Sequence, residues 1–224
     1  LTLMAMQECE IEYAESDSMQ KAAGWILDQE VRTPGDWQVK VPGVEPGGWA
    51  FQRANNFYPD VDDTAVALTV LSRLRLVYEN PERLDAAISR AKDWLLAMQC
   101  SNGGWGAFDR ENNRKIITRI PFCDFGEVLD PPSVDVTAHT VEAFGEMGID
   151  RSHPAMDRAV RYILSEQEAD GSWFGRWGVN YIYGTSAVVC GLKAIGYDMH
   201  APEIRKALQW MRKVQNSDGG WGES

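Results

Sequence analysis

The chain has 224 residues, 44% of them hydrophobic and 25% charged, with nine Trp, twenty Gly and a formal net charge of −11. Those fractions exclude a disordered or collagenous chain, an acidic chain without a basic cluster is unsuited to nucleic acid, and no apolar run of about 18 residues is present to span a bilayer. No secretory signal is legible, and Cys9, Cys100, Cys123 and Cys190, none in a CxxC spacing, read as free thiols of a reducing compartment.

A repeat organises the chain. Its first copy is degenerate and runs from Lys21-Ala22 through Trp25, Ile26 and Gln29 to Gly35-Asp36-Trp37. Three clear copies follow. They are Arg90-Ala91, Trp94-Leu95, Gln99, Gly103 and Trp105; Arg158-Ala159, Tyr162-Ile163, Gln167, Gly171 and Trp173; and Lys206-Ala207, Trp210-Met211, Gln215, Gly219 and Trp221. The stretch before each Gln is apolar at i, i+3, i+4 and i+7, as in Ala91, Trp94, Leu95 and Met98, which predicts an amphipathic helix. The glycines after the Gln stop that helix and turn the chain. A second, nearly all-apolar helix is predicted after each connection, over 62–78, 134–147 and 185–195. Charged-faced outer helices alternating with apolar inner ones predict an all-α fold, an α/α toroid of the (α/α)6-barrel type. Four outer and three inner helices make about half of such a ring, so residues 1–224 are expected to be one part of a longer chain.

Two connections, 30–59 and 106–132, are too long to be simple turns and carry Trp49, Phe51, Phe57, Tyr58, Phe108, Phe122 and Phe125. Both lead into the start of an inner helix. In an alternating toroid these starts share one end, so the loops are expected to gather around one mouth.

Asp60-Val61-Asp62-Asp63-Thr64-Ala65 opens the first inner helix. Asp60 suits the N-cap and Asp63 the third helical position, near the positive end of the dipole. Capping leaves Asp62 unexplained. Three crowded carboxylates titrate as a unit and keep a proton near neutral pH, which makes a general acid. Asp135 and His139, spaced i, i+4, open the second inner helix and share a face. A metal reading would join them to Cys123, but the three follow no recognised ligand spacing, and no metal is expected. Before the third inner helix stands Trp177, the one Trp that the repeat does not absorb. π faces from Trp177, Tyr183, Phe51 and Phe108 around an acid would stabilise a cation and exclude water.

The Gln…Gly-x-Trp repeats resemble the QW motifs of the triterpene cyclases, and Asp60-Val61-Asp62-Asp63-Thr64-Ala65 looks like the DxDD acid motif of the squalene–hopene cyclases. The segments 120–128, 135–139 and 171–181 fit the same family, and the resemblance covers essentially the whole chain. It implies that Asp62 protonates a terminal alkene of squalene, beside Asp60 and Asp63, with His139 hydrogen-bonded to raise its acidity and Asp135 helping to hold that network. It implies substrate contacts for Trp177 and Tyr183, a mid-chain cation at Phe51, and an entrance constriction at Phe122 and Cys123. Phe108 stands where some members have Tyr. Further implied are a second toroid outside this chain, a seat on one membrane leaflet at the cytoplasmic side of the inner membrane, a homodimer as one possible assembly, and no cofactor. The isolated chain is expected to be inactive. A DxDD diterpene cyclase acting on a prenyl diphosphate and a non-catalytic toroid used as a binding scaffold are the alternatives.

Overall fold

The computed structural model describes residues 2–52, 54–55, 57–113 and 129–223. Among the described residues run eight α-helices, two 3-10 turns and no strand, with four isolated antiparallel bridges. The all-α class expected from the repeats is observed. The chain divides into two compact units, Leu1–Met98 and Gln99–Ser224.

The first unit holds α1 (Thr2–Glu8), α2 (Asp17–Asp28), α3 (Val61–Arg73) and α4 (Pro81–Met98). The Ser16 hydroxyl caps α2 by accepting from the Met19 N–H. The outer helix α4 buries Leu84, Ala87, Ile88, Ala91, Trp94, Leu95 and Met98, a single stripe at helical spacing. The inner helix α3 is buried over much of its circumference (Thr64, Ala65, Ala67, Leu68, Thr69, Val70 and Leu71) and packs on α4. Trp94 is fully buried, with Trp37 edge-on at 5.8 Å. Burying such an indole withdraws roughly 200 Å² from water, worth on the order of 5 kcal/mol as an upper bound.

The second unit holds α5 (Val134–Glu146), α6 (Pro154–Ser165), α7 (Asn180–Ala194) and α8 (Pro202–Lys213). The inner helices α5 and α7 lie against one another, α6 flanks α5 and α8 flanks α7. Small residues set that close approach: a Cβ at Gly191 would fall 2.5 Å from the Ala138 carbonyl oxygen.

Two helix ends depart from expectation. The α3 helix stops at Arg73 rather than Tyr78, because the chain turns there with the Leu74 N–H on the Leu71 carbonyl and the Tyr78 N–H on the Leu74 carbonyl. The α7 helix begins at Asn180, five residues before the predicted Thr185. The Glu223 carboxylate accepts from the Asn180 and Tyr181 N–H groups at 2.9 and 3.0 Å, and from that of Ile182, satisfying donors that local sequence leaves orphaned.

The Gln of the repeat template stitches its own turn to the start of the next outer helix. The Gln99 side-chain amide donates to its own Gly103 carbonyl at 2.9 Å and to the Ala155 carbonyl at the start of α6 at 2.8 Å, while its oxygen accepts from Arg158. Gln167 repeats this on Gly171 and on Glu203 of α8, both at 2.9 Å. The closing indole then donates back to its own helix: Trp173 to the Ile163 carbonyl at 2.7 Å and Trp221 to that of Met211 at 2.8 Å.

This pattern corrects the reading of the first copy. The residue that donates back to Ile26, at 2.7 Å, is Trp49 and not Trp37. The Val31 N–H bonds the Gly48 carbonyl as the Cys100 N–H bonds that of Gly104. Residues 32–47 are therefore an insertion within the turn, and Trp37 belongs to that insertion.

Candidate active site

Each inner helix is tied to the closing Trp of the preceding turn by a buried threonine. The Trp49 N–H donates to Thr64 Oγ1 at 2.9 Å, Trp105 to Thr137 at 3.0 Å, and Trp173 to Thr185 at 3.0 Å. These threonines align the three helices residue by residue. Asp62, Asp135 and Tyr183 then occupy one equivalent position, two residues before each Thr.

In the first unit, the Asp60 N–H bonds the Trp49 carbonyl at 2.8 Å, and its backbone is extended (φ −102, ψ 135). From there its Oδ1 accepts the Asp63 N–H at 2.9 Å, the N-cap expected from the sequence. Asp60 is 5% exposed. Burial above all, reinforced by the charges of Asp63 and Asp62 against the pull of the backbone N–H groups, lifts its carboxyl from 3.8 to about 8. Asp63, half-buried, is raised by burial and by Asp62. Asp62 is half-buried on the first turn of α3. Of the three carboxylates, Asp60 and Asp63 are raised, and the larger displacement falls on the cap itself. A cavity of about 430 Å³ lies beside it, lined among others by Trp25, Ile26, Trp49, Phe51, Asp63 and Val66. Phe51 and Asp63 meet there, and Phe51 is 74% exposed.

In the second unit the starts of the two inner helices come together, as the toroid reading requires. Asp135, 1% exposed on the first turn of α5, accepts the Trp177 N–H on Oδ2 at 2.8 Å. Phe108 stands edge-on to the Trp177 ring, with centroids 6.1 Å apart and an interplanar angle of 87°. The Arg176 guanidinium lies 5.6 Å from the same ring and donates to the Leu129 carbonyl at 2.9 Å. One turn along α5, His139 stands edge-on to Tyr183 at 5.8 Å. The Tyr183 ring fills the space over Gly175 and Gly178, where a Cβ would come within 2.7 and 2.3 Å of it. Phe108, Asp135, His139, Trp177 and Tyr183 therefore form one connected group. Phe122 and Cys123 lie outside the described residues.

Sequence reasoning missed Asp130 and the three threonines. The threonines did leave a signal: Asp-x-Thr-Ala recurs at 62–65 and 135–138. Asp130 left none, since its three backbone donors lie 21 to 23 residues upstream.

Comparison with known proteins supplies the remaining finding. The family model described as the squalene-hopene cyclase C-terminal domain matches residues 1–224. The squalene–hopene cyclase of Alicyclobacillus acidocaldarius is 55% identical over 183 residues, covering 82% of this chain and 29% of the relative. That of Zymomonas mobilis is 44% identical over 225 residues, covering 100% of this chain and 34% of the relative. The squalene hopane cyclase of Aspergillus fumigatus is 38% identical over 240 residues, covering 91% and 32%. The chain thus spans about a third of the length of these relatives.

Proposed function

The chain belongs to the squalene-hopene cyclase family, and on that premise we propose that it carries the acid centre of a class II triterpene cyclase that converts squalene to hopene or hopanol. The observation that carries this reading is the carboxylate cluster at the start of α3, in which Asp60 is buried with its carboxyl lifted to about 8 by desolvation and Asp63 is raised beside it. Asp60 makes the cap, so the cap does not account for Asp62, and Asp62 is the proton donor. Its proton adds to a terminal alkene carbon, the alkene electrons form the new C–H bond, and the cation left behind is attacked by the next alkene in turn. A final proton loss gives the alkene, or capture of water gives the alcohol. The initiating electrophile is a proton, so the reaction calls for no metal or organic cofactor.

The remaining residues shelter the charge. His139 and Asp135 support the acid, Trp177, Tyr183, Phe108 and Phe51 present π faces to successive cations, and Phe122 and Cys123 keep the substrate-binding role that the family resemblance implies. Residues 1–224 supply part of a catalytic α/α toroid, the rest of the ring and a second toroid coming from elsewhere in the longer protein. Alone, the chain is inactive, because water reaches the cations. No helix among the described residues is long and apolar enough to cross a membrane; a peripheral seat on the cytoplasmic side of the inner membrane suits a substrate that dissolves in lipid.

The test is product formation from squalene by the full-length protein and its Asp62→Asn variant. General-acid loss lowers turnover by about 100-fold or more. Equal product from both overturns the assignment, and turnover of a prenyl diphosphate alone would replace the substrate.

A further inference from the structure

Asp130 is buried, 7% exposed, and its carboxylate accepts from three successive backbone N–H groups. Oδ1 takes that of Ala107 at 2.9 Å, and Oδ2 takes those of Phe108 at 2.6 Å and Asp109 at 2.8 Å. Its own N–H donates to the Asn112 carbonyl at 3.1 Å, so one residue grips the 107–112 segment at four points. The approach is close enough that a Cβ at Gly106 would fall 2.7 Å from the Asp130 carbonyl oxygen and 2.9 Å from Oδ2, and only glycine fits there. Charge-assisted bonds of this kind are short and directional, and they fix a loop in one geometry.

The gripped segment carries Phe108, whose ring meets Trp177 edge-on, and the Trp177 backbone is in turn held by Asp135. Two buried carboxylates thus hold the two rings through their main chains rather than through their side chains. We propose that Asp130 is a positioning residue for cyclisation: through the backbone of 107–109 it holds Phe108 against Trp177, so that this aromatic pair stands at a fixed place along the path of the migrating cation. The proposal rests on the cyclase reading above. A cation–π contact acts only within about 6 Å of the ring. A Phe108 released from its clamp stabilises its cation less, and proton loss from an earlier cation competes with further ring closure.

The test uses the full-length protein with Asp130→Ala and Asp130→Asn, and with Gln99→Ala as a variant destabilised in the same unit that takes no part in the Asp130 bonds. Two quantities are read: amide hydrogen exchange at residues 107–109, and the ratio of incompletely to fully cyclised product from squalene. Expected are exchange at least 10-fold faster and a several-fold higher ratio in Asp130→Ala. Asp130→Asn, which keeps one acceptor oxygen, falls between it and the wild type, and Gln99→Ala keeps the wild-type ratio. An unchanged ratio in both Asp130 variants overturns the positioning role, even if exchange accelerates, and so does the same rise in Gln99→Ala. Unchanged exchange overturns the clamp. Squalene left unconverted by the wild type overturns the cyclase reading itself, and with it the role in cyclisation, while exchange still decides the clamp.

Discussion

Replacing Asp60 by Asn separates its capping role from its ionisation. The Asp60 carboxyl is lifted from 3.8 to about 8 in the folded chain, first by burial. The folded state therefore holds a proton that the unfolded state releases above about pH 4. The stability associated with that proton is fully present below pH 4 and is lost progressively as pH rises to 8. The limit is about 1.4 kcal/mol per pH unit, or roughly 5 kcal/mol over the whole window. Because Asp63 is raised beside Asp60 and the two interact, about 2 to 3 kcal/mol is the loss expected between pH 5 and 8. Asn retains the oxygen that accepts the Asp63 N–H and caps about as well as Asp, but it cannot ionise. Hydrogen exchange of the α3 amides, corrected for the intrinsic effect of pH on exchange, gives the local opening free energy of that helix. The wild type should lose about 2 to 3 kcal/mol from pH 5 to 8 relative to Asp60→Asn. Parallel pH profiles for the two proteins would refute the reasoning, because they would mean that Asp60 is ionised in the folded chain at pH 5.

The stitch between outer helices makes two further predictions. Gln99→Ala leaves the buried Gly103 and Ala155 carbonyls without their donor, which costs about 3 kcal/mol and shows as a lowered thermal midpoint. Gly103→Ala meets two obstacles at once, a φ of +96 and a Cβ 2.4 Å from the Arg158 carbonyl oxygen. Gly148→Ala meets only the first, with a φ of +77 and nothing within 4 Å. The Gly148 variant should lose about 1 kcal/mol and the Gly103 variant at least twice that; equal losses in unfolding experiments would remove the contact from the account.

The layers of the fold were legible because they follow from local rules. A 3.6-residue stripe predicts α4 and α6, a mostly apolar stretch predicts α5, and Asp60 reads as a cap from its place before α3. What escaped the sequence was set at a distance. Glu223 extends α7 from more than 40 residues away, and the 32–47 insertion displaced the closing Trp from its usual spacing, so that Trp37 took its place in the pattern. The hydrogen bonds of Trp49 restore the register.

That register explains why a repeat built for packing can also build a site. Each inner helix is pinned by the same Thr–Trp bond, so the residue two before the Thr is placed in the first turn of its helix: Asp62 on α3, Asp135 on α5, Tyr183 on α7. Packing constrains the Thr and the Trp, because an unmatched buried N–H costs about 1 to 3 kcal/mol, and it leaves the neighbouring position free to vary. Chemistry occupies that freedom differently in each repeat. On α3 the position lies beside a capping carboxyl raised by burial, on α5 it binds the Trp177 main chain, and on α7 it places an aromatic ring against His139. One structural position is thus used three times with different side chains, and Trp177 stands outside the repeat because its main chain is held by that position on α5 rather than by the stitch.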